Sequence, residues 1–144
     1  MRILIPFLLA ATMLFTGCAS RAARKAPPSL PAGPWALVEL NARPVTVVNL
    51  SQQPTMLFDA AAGRFSGHAG VNRYNGGYTQ NGTALSFGPA ASTKMAGPPE
   101  LMKIEDEFLA VLPKVKSWRI ESAWLQLVGD NGVILARLVL GQGQ

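Results

Sequence analysis

One cysteine and one histidine stand in a chain of 144 residues. That scarcity excludes most sulfur and imidazole chemistry. A structural zinc site needs about four ligands at recognisable spacings, and Cys18 with His68 cannot supply them. An intrachain disulfide needs a second cysteine. A catalytic His68 would need a nucleophile or an orienting carboxylate within reach, and nothing in the sequence places one beside it. The chain also lacks a G-x-x-x-x-G-K-[ST] run, and lacks a G-x-G-x-x-G between strand and helix, to cradle a phosphate. No catalytic residue, metal or cofactor is expected.

An excess of positive charge on the folded part is also missing. The chain carries 13 Lys and Arg against 8 Asp and Glu, with a pI near 9.9. Four of the positives, Arg2, Arg21, Arg24 and Lys25, fall in the first 25 residues. From Trp35 onward nine positives face eight negatives, a net of +1. A nucleic-acid footprint needs Lys and Arg clustered on the domain, so that class of partner is not expected.

The start of the chain is the first thing present in strength. "MRILIPFLLAATMLFTGCAS" has Arg2, an apolar run from Ile3 to Phe15, then small residues around Cys18. A spanning helix needs about 20 apolar residues. This run is shorter and contains Pro6, so it reads as a secretory signal over 1–17. "FTGCAS" resembles the bacterial lipoprotein signal, in which a cysteine becomes the acylated first residue, although Phe15 stands where Leu is usual. Cys18 is the expected lipid attachment site. Residues 18–34 are rich in proline and basic residues and read as a tether, its charge attracted to anionic headgroups. The domain is expected over 35–144.

From Trp35 the pattern is of short strands between turns. "WALVEL" alternates, with Trp35, Leu37 and Glu39 on one face. "VTVV" is a second β-branched run. "TMLFD" and "RFSG" flank "AAAG" as a hairpin, and Asn81-Gly82 turns a further pair within "YNGGYTQNGTALSFG". "PPELMKIEDEFLAVLPKV" changes period: Leu101, Ile104, Phe108 and Leu112 recur at threes and fours, with prolines at both ends. This predicts an amphipathic helix of about 13 residues whose apolar stripe covers the sheet. Glu105, Asp106 and Glu107 are placed on its solvated face. "SWRIE", "AWLQLVG" and "VILARLVL" complete the strands, with Asp130-Asn131-Gly132 between the last two.

"GHAGVNRYNGGY", Gly67 to Tyr78, holds four glycines. Lying between strands, they read better as bends and close approaches than as a ligand loop. Arg73, Tyr74 and Tyr78 form either a polar-aromatic patch or ordinary cross-strand neighbours, and the second reading is preferred.

Taken together, "WALVEL", "MLFDAAAGRFSGHAGVNRYNGGYTQNGTALSFG", "STKMAG", "LPKVKSW" and "LQLVGDNGVIL" resemble the META domain, the HslJ-like family of bacterial envelope proteins. The resemblance implies an α+β fold: a strongly curved, mostly antiparallel sheet of about seven or eight strands, partly barrel-like, with one main helix packed on it. It carries over a motif, Asn72, Tyr74, Gly76, Gly77, Tyr78, Thr93 and Met95, expected to define the fold, and no catalytic residues. Many members have cysteines where this chain has Val71 and Gly97. Losing both together implies that the two segments still lie side by side, held by packing.

The expected function is that of a non-enzymatic outer-membrane lipoprotein on the periplasmic side, monomeric, with a structural, stress-related or accessory role. Ala19 after the cysteine favours the outer membrane by the usual sorting preference. The alternative is a module binding an acyl chain or a partner's hydrophobic segment in a cavity lined by Trp35, Phe58, Phe65, Trp118 and Trp124. A hydrolase acting on envelope polymers rests on His68 alone and ranks last.

Overall fold

Alternation of inward and outward side chains builds most of this protein. The computed structural model describes residues 28–141, so the leader and Cys18 lie outside the described residues. Ten strands form one sheet: β1 (Trp35–Leu40), β2 (Arg43–Pro44), β3 (Thr55–Asp59), β4 (Arg64–His68), β5 (Arg73–Asn81), β6 (Ala84–Phe87), β7 (Ala91–Ser92), β8 (Ser117–Glu121), β9 (Trp124–Val128) and β10 (Ile134–Leu140). One helix, α1 (Pro99–Val111), runs on into a 3₁₀ turn at Leu112–Lys114. Every strand pairing is antiparallel. The expected α+β architecture is therefore present, with β2 and β7 as two-residue additions to eight longer strands.

The first and last strands meet. β1 pairs with β3 on one side and with β10 on the other, so the pairings run in a circuit through eight strands. Side chains facing inward fill the space this encloses. Leu37, Met56, Phe65, Leu125, Leu127 and Leu138 are fully buried, and aromatic edges meet aromatic faces, as in Phe65 against Phe87 at 4.8 Å between centroids. α1 adds Leu101, Phe108 and Val111 to this core. Phe108 stands edge-on to Tyr74 at 5.8 Å. Such pairs add about 1 kcal/mol beyond the area they bury.

Four local readings of the sequence need correcting. β1 contains a bulge between Leu37 and Glu39, which breaks the two-residue alternation. Trp35, Leu37 and Leu40 therefore point inward, while Glu39 faces out beside Arg137. "VTVV" forms no strand. Residues 45–48 leave the sheet after β2 and lead to a 3₁₀ turn at Leu50–Gln52, with Val48 fully exposed. β-branched residues favour extended backbone only where a partner strand is there to pair with.

The hairpin after β5 is shifted by one residue: Asn81 pairs with Ala84, and the turn is Gly82-Thr83, with positive φ at Gly82. Finally, residues 28–34, expected in the tether, pack on the domain. Leu30 is buried in the core, and Phe58 N donates to Ala32 O at 2.7 Å. Gln80 binds this segment twice, accepting from Leu30 N and donating to Pro28 O.

Candidate functional site

The loop between β4 and β5 carries the densest polar chemistry in the described residues. Asn72 ends that loop, buried, and its side-chain amide makes all four of the bonds open to it. Nδ2 donates to Glu105 Oε1 at 2.8 Å and to Met95 O at 3.0 Å. Oδ1 accepts from Thr93 Oγ1 at 2.8 Å and Met95 N at 2.7 Å. The backbone is equally committed: Asn72 N donates to Glu105 Oε2 at 2.7 Å and Asn72 O accepts from Ala69 N at 2.8 Å.

Glu105 is the centre of this knot, and it is not solvated as the sequence led us to expect. It is 4% exposed and its carboxylate accepts three N–H bonds, from Val71 N, Asn72 N and Asn72 Nδ2. The reason is its place on the helix. Glu105 lies four residues after Leu101 and three before Phe108, so it faces the sheet with them. Asp106 is exposed, and Glu107 forms an ion pair with Arg43 on β2. A carboxylate in such surroundings is tolerated only when its oxygens are bonded.

The other motif residues divide by face. Tyr74, Gly76 and Tyr78 point inward from β5, while Arg73, Asn75 and Gly77 point out. Arg73 and the two tyrosines therefore do not form a patch. Tyr74 Oη donates to Thr55 O at 2.8 Å, and burial drives its phenol well above the ordinary range. Tyr78 meets Phe58 edge-on at 5.3 Å, and burial, then the Asp59 carboxylate, raises its phenol as well.

Gly76 is required by close approach: a Cβ there would meet the Phe65 ring at 2.6 Å and Pro89 O at 2.9 Å. At Gly77 the nearest atom lies 3.8 Å away. Thr93 and Met95 supply the strap across Asn72, Met95 through its backbone while its side chain stays exposed.

Val71 and Gly97 lie side by side. A Cβ on Gly97 would stand 3.3 Å from Val71 Cβ and 2.5 Å from one of its methyls. The valine methyls thus occupy the space that a second side chain would take. The strap at 93–97 is pinned to the β4–β5 loop by the Asn72 amide and by this contact.

His68 sits apart from the knot. Its Nδ1 accepts from Gly70 N at 3.4 Å, and it borders a groove on the outer face of the sheet. That groove has a volume of about 730 Å³ and runs between Ala36, Val38 and Val139 beneath Leu50. Trp35, Phe58, Phe65 and Trp118 are buried in the core and fill the interior instead of lining a cavity, whereas Trp124 faces outward. Among the described residues there is no group of three or more His, Cys, Asp or Glu able to hold a metal ion. No helix among them is long and apolar enough to cross a membrane.

This arrangement, a buried Asn bound to a helix carboxylate and strapped by a Ser-Thr-x-Met segment, coincides with a family match. A profile of the META domain matches residues 28–141. The chain belongs to the META domain family. No curated protein matches it. Solved structures share the META architecture seen here. A protein from Burkholderia xenovorans, determined by NMR, is 23% identical with a TM-score of 0.58, covering 96% of this chain and 100% of that one. A second NMR structure is 20% identical with a TM-score of 0.57, covering 76% and 89%. A DUF4847 family protein from Bacteroides vulgatus is 15% identical with a TM-score of 0.54, covering 78% and 95%. At these identities the likeness concerns the fold.

The matched span of the META profile begins at Pro28 and so includes the segment around Leu30 that sequence reasoning gave to the tether. The knot residue that the sequence places wrongly is Glu105, expected on the solvated face and found buried. Its spacing from Leu101 and Phe108 was the signal available for it.

Proposed function

We propose that this META domain is an accessory lipoprotein of the outer membrane, held on the periplasmic side by acylated Cys18 and acting without catalysis. The observation that carries this reading is the knot itself: Asn72 spends its bonding capacity on Glu105, Thr93 and the backbone of Met95, and the Glu105 carboxylate spends its own on Asn72 and Val71 N. Groups so committed hold elements together and are not left to meet a substrate. The leader "FTGCAS" supports the anchor. The ten residues from Cys18 to Pro28 span at most about 35 Å when fully extended, which keeps the domain close to its membrane.

The test is to express the full chain and its Cys18→Ala variant in a Gram-negative host fed labelled palmitate. The expected result is label and outer-membrane fractionation for the parent, with soluble, unlabelled periplasmic protein for the variant. Retention of the variant in the membrane fraction would overturn the anchor. For the non-catalytic role, loss-of-function phenotypes should follow the amount of folded protein across Asn72, Glu105 and His68 variants. A fully folded His68→Ala variant that behaves as a deletion would refute it.

A second reading has one observation in its favour. The groove of about 730 Å³ beneath Leu50 is walled by Ala36, Val38 and Val139 and is large enough for a partner's apolar segment. An acyl chain inside the sheet has no such support, because the interior is occupied by the core side chains.

A further inference from the structure

Away from both the knot and the groove, the outward faces of β8, β9 and β10 carry a connected polar array. Arg119 Nε donates to Gln126 Oε1 at 2.6 Å, and Gln126 Nε2 donates to Glu121 Oε2 at 2.9 Å. Arg137 Nη1 donates to both oxygens of Glu39, at 2.6 and 2.7 Å. The same guanidinium lies over the Trp124 ring, 5.2 Å from its centroid. Beside it is a depression of about 430 Å³, bounded by Glu121, Ser122, Ala123, Trp124, Gln126 and Arg137.

We propose that this depression binds an uncharged pyranose ring of a glycan. The C–H face of a pyranose packs on an indole, and its hydroxyls pair with planar amide, guanidinium and carboxylate groups. Trp124 supplies the indole: it is 41% exposed, while its position is fixed by the cation above it. The planar groups are already held in place. The exposed side chains of Arg119 and Glu121 are both bonded by the buried amide of Gln126, which positions them from below. Groups ordered before binding lose little entropy on binding.

Charge decides the class of sugar. Arg137 is matched by Glu39, and Arg119 lies 3.9 Å from Glu121, so no charge is left over to attract an anion. The volume falls within the range of small-molecule sites, about 300–1,000 Å³. Arg137 Nε is buried and, among the described residues, the only buried side-chain polar atom with no partner. The inference does not depend on the anchor at Cys18.

The three indole N–H groups make the test specific. Trp35 Nε1 donates to Pro31 O and Trp118 Nε1 to Gly82 O, both within the fold. The full chain, labelled with nitrogen-15 in detergent micelles, is titrated with cellohexaose, with chitohexaose and with anionic hexagalacturonate. The expected result is a saturable shift of the Trp124 indole signal with at least one neutral hexamer, with a Kd on the order of 1 mM. The Trp35 and Trp118 signals should stay in place.

Trp124→Ala, followed through the backbone N–H signals of Ala123 and Gln126, and Ala123→Arg, followed through the Trp124 indole, are both at exposed positions and should each weaken binding at least about tenfold. The unmoved Trp35 and Trp118 signals report that the fold is kept. If Trp124→Ala loses those signals, Ala123→Arg alone decides. No saturable shift with either neutral hexamer would overturn the proposal. So would hexagalacturonate binding as tightly as the neutral sugars, or unchanged binding by a folded variant.

Discussion

Replacing Glu105 by Ala removes the acceptor for three N–H groups at once. Val71 N, Asn72 N and one Asn72 Nδ2 hydrogen then point at a space vacated by the carboxylate, at former distances of 3.1, 2.7 and 2.8 Å. A buried donor left unpaired costs about 1–3 kcal/mol. Val71 is half-buried and its N–H can recover a water. The two Asn72 donors cannot do so as readily, because the residue is 1% exposed. Removing a buried carboxylate also removes its own desolvation cost, which offsets part of the loss. The net expected destabilisation is about 3–4 kcal/mol, a large share of the roughly 5–15 kcal/mol that holds a domain of this kind.

Urea unfolding followed by tryptophan fluorescence measures it, as a lower midpoint at unchanged slope. A double-mutant cycle with Asn72→Ala should give a coupling of about 1–3 kcal/mol, since each change removes the other's partner. A loss below about 1 kcal/mol for Glu105→Ala, or strict additivity with Asn72→Ala, would refute the reasoning that these two residues join helix to loop.

Other outcomes follow from the same geometry. Gly76→Ala should cost about 2–3 kcal/mol because its Cβ would meet the Phe65 ring at 2.6 Å, whereas Gly77→Ala, with 3.8 Å of room, should cost less than about 1 kcal/mol. Urea midpoints of the two variants check the contrast, and equal losses would contradict it. Val71→Cys with Gly97→Cys should form a disulfide on oxidation, seen as two fewer free thiols in a mass measurement. The 3.3 Å between the two Cβ positions must open by only a few tenths of an ångström to reach the usual separation of about 3.8 Å. The bridge should raise stability by about 3 kcal/mol. Stability should also fall at alkaline pH. Tyr74 is held neutral in the fold by burial, while the unfolded chain releases its phenolic proton above about pH 10, so the folded state holds more protons there. The contribution is intact below that pH and declines by up to about 1.4 kcal/mol per pH unit above it. Tyr74→Phe should flatten this slope while losing about 1 kcal/mol at neutral pH, from the bond to Thr55 O.

Most strands and the helix were legible in the sequence because each has a face that must be buried, and burial leaves a period of two or of 3.6 residues. What escaped depended on contacts between distant segments. The bulge in β1 depends on its pairing with β10, nearly a hundred positions along, and local alternation carries no trace of it. "VTVV" has the composition of a strand without a neighbour to pair with. Leu30 looked like tether because proline surrounds it, and its burial depends on Gln80 and Phe58 far along the chain.

The site shows the same division. Asn72, Thr93 and Met95 stand out in the motif, but Glu105, which binds Asn72 from the helix, does not. A carboxylate on a helix reads as solvated unless its spacing from the apolar stripe is counted. Leu101, Glu105 and Phe108 follow one another by four and three, so that signal was present.

The meeting of β1 with β10 sets the order in which this molecule can come into being. A ribosome or an export channel delivers the chain N-terminus first, and β1 then waits for a partner about a hundred residues behind it. Until that strand emerges, β1 and β9 each show an open edge, the kind of surface that recruits other chains. Contacts of such long sequence separation slow folding. Truncation before Ile134 should therefore leave an aggregating intermediate instead of a smaller domain. Maturation of this protein is tied to the arrival of its last strand.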